Sequence, residues 1–206
     1  MEKKIIDISM ELSNRTPQWP GDQPFYYGLT GTIEETGSVN VGEIRTGTHL
    51  GTHIDAPFHY DNDGLTIGEM PLEVYLSTAQ VMDVRGLDEI TSNDLKKPEA
   101  GVTTVLLRTG AWRDRTKFPG HWPVFDVSIA SWMKTNGIRL LGVDVPSVDQ
   151  ETSKDMEMHQ AMNRNGRYIL ESIILDYAEE GVYQLAALPL KIKGAEGSPV
   201  RAVLYT

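Results

Sequence analysis

A chain of 206 residues, 40% hydrophobic and 23% charged, is long enough for one well-filled core and has the balance of an ordinary globular protein. With 19 basic against 29 acidic residues, the formal net charge of −10 argues against a nucleic-acid partner, which calls for a basic patch. There is no cysteine, so the chain forms no disulfide and offers no thiolate; any metal must be held by nitrogen and oxygen.

Taken in order, Met1-Glu-Lys-Lys-Ile-Ile-Asp7 starts basic, but Asp7 cuts its apolar run too early for a signal peptide. No stretch approaches the ~18 apolar residues of a membrane span, so a soluble cytoplasmic protein is expected. No linker or internal repeat divides the chain, and residues 1–206 are expected to form a single domain. Ile5–Ser9 reads as a short strand, and residues 14–24, with three prolines, Gly21 and Trp19, as an irregular loop. Val39–Thr46 alternates apolar and polar residues, as a half-buried strand does. Asp61-Asn-Asp-Gly64 is a turn, and Pro71–Leu76 a short helix. Ala79–Val84 and Val102–Thr109 are apolar, β-branched runs expected as buried strands, with a helix over Thr91–Lys97 between them. Asp126 caps a helix from Val127 to Thr135, terminated by Gly137. Ile138–Val145 returns as a strand. Ser153 caps a helix to about Asn163, ended by Gly166, and Tyr168–Leu175, Val182–Ile192 and Val200–Tyr205 have strand-like patterns. Strands and three or four helices mix without strict alternation, which predicts a mixed α/β or α+β fold with a mixed sheet or barrel.

The chemistry concentrates in Thr48-His-Leu-Gly-Thr-His-Ile-Asp-Ala-Pro-Phe-His59. His49, His53, Asp55 and His59 all fall at odd positions, so an extended chain could point them to one side. Gly51 and Pro57 disfavour a helix, and Thr48, Thr52 and Ile54 favour strand; a strand turning at Ala56-Pro57 is expected, with Gly51 allowing close approach to a metal. Imidazole and carboxylate are ligands that zinc and similar ions accept. Farther along, His159 sits among Met156, Met158 and Met162, where a histidine is usually structural or exposed. Glu171 lies within Ile169, Leu170, Ile173, Ile174 and Leu175: either a paired or metal-bound carboxylate, or an edge residue facing solvent. His121, between prolines, reads as exposed. Asp144 and Asp149 flank a strand end, where they either support the site's polar side chains or turn the chain; the sequence alone favours turns.

The segment His49–His59 resembles the signature of the cyclase-like metal-dependent hydrolases, a family that includes kynurenine formamidases (arylformamidases) and isatin hydrolases. Gln18-Trp-Pro-Gly-Asp22, Gly37–Gly42, Leu106–Thr109, Leu141–Asp149 and Gly197–Ala202 resemble blocks of the formamidase branch in the same order, so the likeness runs through nearly the whole chain. The resemblance implies a swivelling β/β/α barrel-like core, usually in a homodimer. It implies two divalent ions, zinc or alternatively manganese, with His49, His53, Asp55, His159 and Glu171 as ligands and both acids bridging. His59 would be the acid/base and Trp19 a substrate-contacting aromatic; the region Arg113–Trp122 matches less clearly. The implied reaction is hydrolysis of an aromatic formamide, N-formyl-L-kynurenine, to kynurenine and formate by a metal-activated water. Opening of a cyclic amide such as isatin, a metal-dependent dehydration or cyclisation, and a non-catalytic metal-binding role are the alternatives.

Overall fold

The computed structural model describes residues 4–206. In chain order the strands are β1 (Ile5–Asp7), β2 (Tyr26–Gly31), β3 (Val41–Arg45), β4 (His53–Asp55), β5 (Leu76–Asp83), β6 (Glu89–Ile90), β7 (Thr104–Arg108), β8 (Val124–Phe125), β9 (Leu140–Val143), β10 (Tyr168–Glu171), β11 (Gly181–Ala186), β12 (Gly197–Pro199) and β13 (Val203–Tyr205); the helices are α1 (Ile33–Thr36), α2 (Ser128–Thr135) and α3 (Glu157–Arg164). Nine strands form one curled mixed sheet in the order β1-β13-β11-β5-β7-β9-β10-β4-β12. Its centre, β5-β7-β9-β10, is parallel and its flanks are antiparallel. The mixed α/β class expected from the sequence is the class observed.

The central strands are apolar on both faces because both are covered, as parallel strands require. Alternation then sorts the side chains. Val105 and Leu107 of β7, Leu141 and Val143 of β9 and Ile169 of β10 face one core with Ile129 and Met133 of α2 and Met158 and Met162 of α3. Leu106, Leu140 and Leu170 face the opposite core with Ile54, Val81, Leu185 and Leu204. The first core brings α3 over the strands that carry the acidic and histidine residues. Gly142 lets the two layers close: a Cβ there would sit 2.4 Å from Leu106 Cδ2.

Several expected elements are shorter or different. Thr91–Lys97 is not a helix; Thr91 and Asp94 form a capping box around a single 3₁₀ turn, Ser92–Asp94, and the chain is extended again at Leu95. Pro71–Leu76 likewise holds only the turn Leu72–Val74 before β5 begins. The third helix starts at Glu157, because Met156 adopts a left-handed conformation (φ 50°) that a continuous helix cannot contain. Ser153 still accepts the Met156 N–H (3.1 Å). The second helix starts at Ser128, one residue later than expected, with Val127 rather than Asp126 in the cap position; Asp126 still accepts from the Ser128 N–H (2.9 Å). The long run Val182–Ile192 leaves the sheet after Ala186. Strand β2 was not foreseen; it pairs with β3 to make a separate two-stranded ribbon carrying exposed Tyr27, Leu29, Val41 and Ile44.

Candidate metal centre and pocket

Strand β4 lies between β10 and β12, with His53 opposite Glu171 on one side and opposite Pro199 on the other. Residues two apart share a face, so His53 and Asp55 project together with Glu171 onto the α3 side, while Ile54 and Leu170 enter the other core. The sequence expectation of one extended segment holds only here. His49 precedes the strand in a turn, and His59 ends a 3₁₀ turn, Pro57–His59. Gly51 is needed for that turn (φ 67°) and for the Leu12 side chain, which a Cβ would meet at 2.5 Å, rather than for approach to a metal. Gly197 makes room for His49: a Cβ there would lie 2.7 Å from the ring. The Thr52 hydroxyl accepts from Met10 N–H (2.8 Å) and donates to Ser172 C=O (2.6 Å), locking the turn to the end of β10.

Helix α3 supplies His159. Asp149 accepts the backbone N–H groups of Met158 and His159 (3.0 Å each) and lies 2.6 Å from His159 Nδ1. It is therefore both the helix cap and the partner of the ring, not a free turn residue. Asp144 is also bonded, accepting from Thr109 and Gly110 and tying β9 to the loop after β7.

Five donors converge. Asp55 Oδ1 lies 2.9 Å from His49 Nδ1 and 3.3 Å from His53 Nε2, and its Oδ2 lies 3.3 Å from His159 Nε2. Glu171 reaches both ways as well, Oε2 to His53 Nε2 (3.3 Å) and Oε1 to His159 Nε2 (3.8 Å). The side chains form two clusters able to hold a metal ion, His49-His53-Asp55 and Asp55-His159-Glu171, sharing Asp55. His159 and Glu171 are thus neither an isolated core histidine nor a solvent-facing edge acid; both are buried.

The hydrogen bonds test whether cations fit. His53 donates from Nδ1 to Gly51 C=O (2.8 Å) and His159 from Nδ1 to Asp149. In each neutral ring the lone pair is then on Nε2, facing carboxylate oxygens at 3.3 Å. Lone pairs opposed at that distance need a proton or a metal ion between them. With protons, burial lowers His53 and His159, but the acids outweigh it and hold both at about 10. Burial and the Asp55 charge push Glu171 up; Asp55 itself is drawn down, the three imidazoles outweighing its burial. His49 Nε2 and Asp55 Oδ2 are buried without a hydrogen-bond partner. A nitrogen-and-oxygen set with orphaned atoms and opposed lone pairs fits borderline divalent ions.

A cavity of about 560 Å³ opens over these groups, lined among others by Trp19, Tyr60, His49, His59, Lys154 and Met156. His59 has an exposed edge, and its ring lies 4.0 Å from that of His49. Crowding by the pocket wall and the neighbouring His49 lower its pKa, so it is neutral at pH 7. Trp19 is held edge-on by Phe118 (5.4 Å) and Trp122 (6.2 Å), which brings the region of weakest resemblance into the pocket's supporting wall. His121 is exposed and lines none of this cavity. A larger cleft of about 1020 Å³ adjoins this cavity, sharing Ser153, Lys154, Asp155 and Gln160 with it, and contains no histidine.

Sequence reasoning ranked Asp149 as a turn residue ahead of a supporting acid, and it missed Glu196. Asp149 carried a readable signal, an Asp ahead of a predicted helix. Glu196, whose Oε1 accepts from Thr48 Oγ and lies 3.5 Å from His49 Nε2, carried none.

A mixed sheet with a buried nitrogen-and-oxygen cluster beneath an open histidine is the setting of metal-assisted hydrolysis. A family model described as "Putative cyclase" matches residues 6–150, and the chain belongs to that family. It is 47% identical to kynurenine formamidase of Geobacillus thermodenitrificans over 97% of this chain and 96% of that one. It is 45% identical to kynurenine formamidase of Bacillus cereus over the same shares. Among solved structures, isatin hydrolase A from Labrenzia aggregata superposes with a TM-score of 0.84 at 23% identity, covering 99% of this chain and 94% of that one, a likeness of fold.

Proposed function

We propose that the chain is a metal-dependent amidohydrolase that cleaves N-formyl-L-kynurenine to L-kynurenine and formate. The carrying observation is the convergence of the two donor clusters on Asp55 beneath a pocket with one uncommitted histidine; the formamidases at 44–47% identity support the substrate. His49, His53 and Asp55 would hold one divalent ion, and Asp55, His159 and Glu171 a second, with zinc the first candidate and manganese the alternative. Such ions supply a Lewis acid for an amide carbonyl and water acidified toward neutrality.

The chain's own groups do the rest. Trp19, fixed by its aromatic neighbours, presents an apolar wall for the substrate ring. His59, neutral and open to the cavity, takes a proton from the attacking water and delivers it to the anilide nitrogen, which leaves poorly as an anion. His59 donates no hydrogen bond to the buried acids, so it stays free to shuttle that proton. Residues 1–206 would act as one domain, in a cytoplasmic homodimer; the exposed apolar ribbon β2–β3 supports an interface between copies.

The test is formate release from N-formyl-L-kynurenine, with isatin as parallel substrate, after chelation and after return of zinc. Zinc-dependent formate release well above isatin turnover is the expected result. Isatin opening without formate release refutes the substrate assignment.

A further inference from the structure

The chain carries an excess of acid, and the pocket mouth shares it: Asp22, Glu151 and Asp155 all line the cavity. Lys154 is the only Lys or Arg among the described residues that line it. Among the described residues, no carboxylate lies within ion-pairing distance of its ammonium, although three acids share the rim; elsewhere, Lys96 and Arg115 do find acids. The lysine is exposed, so its side chain is free to meet a ligand.

Its backbone is not free to wander. Ser153 N–H donates to Gln150 C=O (2.9 Å), and Ser153 Oγ accepts from Met156 N–H (3.1 Å). Met156, with its left-handed backbone, then turns the chain into α3, which carries His159. Lys154 thus stands on a short braced segment at fixed range from the centre. Trp19 holds the aromatic part of a substrate, so the mouth meets whatever the ring carries beyond the reacting formamide.

We propose that Lys154 is a specificity-determining residue that binds the carboxylate of an amino-acid side arm on the substrate, with the rim acids matching its ammonium. The inference rests on the formamidase reading and deepens it: the site selects a zwitterionic aryl formamide over a neutral one. A lone cation in a negative field is what a carboxylate needs to enter, since the −10 background otherwise repels it.

The experiment compares two substrates with the zinc-loaded enzyme: N-formyl-L-kynurenine, and ortho-formamidoacetophenone, which keeps ring, ketone and formamide but lacks the amino acid. The readout is the ratio of their kcat/KM values in the parent, Lys154→Met, Lys154→Arg and Lys154→Glu, with folding checked by thermal melting. In Lys154→Met the preference for the amino-acid substrate falls about tenfold, the scale of one lost charge-assisted hydrogen bond, and the loss appears in KM. Lys154→Arg restores most of it, and Lys154→Glu lowers it further. An unchanged ratio in Lys154→Met and Lys154→Glu overturns the proposal while leaving the formamidase reading standing. Failure of the parent to release formate from either substrate overturns both.

Discussion

Asp149 offers a sharp test of how the centre is organised. Replacing it with Asn keeps the shape and removes the charge. The 2.6 Å contact to His159 Nδ1 becomes neutral, and one of the backbone N–H groups at 3.0 Å loses its acceptor, because an amide has one oxygen where the carboxylate had two. Two separate losses follow. The cap costs about 1 kcal/mol of stability. The weakened hold on His159 lowers metal affinity by about 10–100-fold, or about 1.4–2.7 kcal/mol, the usual scale for the partner of a ligating histidine. Competition against a chromophoric chelator measures affinity, and thermal melting of the metal-free protein measures the cap. Asn163→Ala is the control: it removes a bond from α3 to Asp61 (2.8 Å) without touching His159, and should leave affinity unaltered. If Asp149→Asn melts earlier yet binds zinc as tightly as the parent, Asp149 is only a cap and the organisation argued above is wrong.

Four further outcomes are expected. His49→Ala loses metal and activity together, whereas His59→Ala keeps its metal by elemental analysis and loses roughly 10²–10⁴ in rate; metal loss in the His59 variant reverses the assigned roles. Zinc at 100 times the Kd of the Asp55-His159-Glu171 site adds about 2.7 kcal/mol of stability through that site, or roughly 5–11 °C in Tm for a chain of this size, and Glu171→Gln abolishes most of that share of the shift in a melting scan. Hydrogen bonds from Arg85 and Arg108 hold the Asp83 carboxyl well below its ordinary range, so its stabilisation is present at neutral pH and lost only as pH falls below the ordinary carboxylate pKa toward the depressed one; Asp83→Asn should melt earlier than the parent at pH 7, with the gap unchanged down to about pH 5 and narrowing only below about pH 4. Light scattering of the parent should give the mass of the proposed homodimer and Ile44→Asp, on the exposed ribbon, that of a monomer; a monomeric parent refutes the dimer, and a dimeric variant refutes the ribbon as its interface.

The parts of this molecule readable in sequence are those where a local rule and the global fold agree. Val105 to Leu107 and Leu140 to Val143 are apolar at every position because both faces of the central strands are covered, and a run of that kind announces itself. The helix at 128–135 was legible from Asp126 and Gly137, two residues whose own chemistry stops a helix at each end. Thr91–Lys97 misled for the same reason: Thr91 and Asp94 make a real capping box, but a box starts a helix without guaranteeing its next turn, and Leu95 is drawn into the core. Strand β3 was legible from its apolar–polar alternation, although all five of its residues are exposed rather than half-buried, whereas β2, paired only with β3 outside the main sheet, shows no such alternation in Tyr26-Tyr-Gly-Leu-Thr-Gly31.

The site shows the limit of spacing arguments more clearly. Period two places His53 and Asp55 together, and the structure keeps that pair on one face. The same rule fails for His49, whose position follows from a left-handed glycine and from the missing Cβ of Gly197, a residue far along the chain. No local pattern could join Glu171 to His53, because their contact is a register fact: β10 runs parallel to β9 and antiparallel to β4, with residue 171 opposite residue 53. That register is held from both sides, by Thr52 binding the Ser172 carbonyl and by Val148 N–H donating to Glu171 Oε1 (2.7 Å). Ser172 adopts φ 56° at that point, a conformation costing about 1–3 kcal/mol in a residue other than glycine. Strain at the residue following a buried carboxylate is what a chain accepts when that carboxylate must be held in one place. A one-residue slip of β4 against β10 would turn His53 and Asp55 into the opposite core and bring Ile54 to the pocket, so the same hydrogen bonds that close the sheet also assemble the candidate centre.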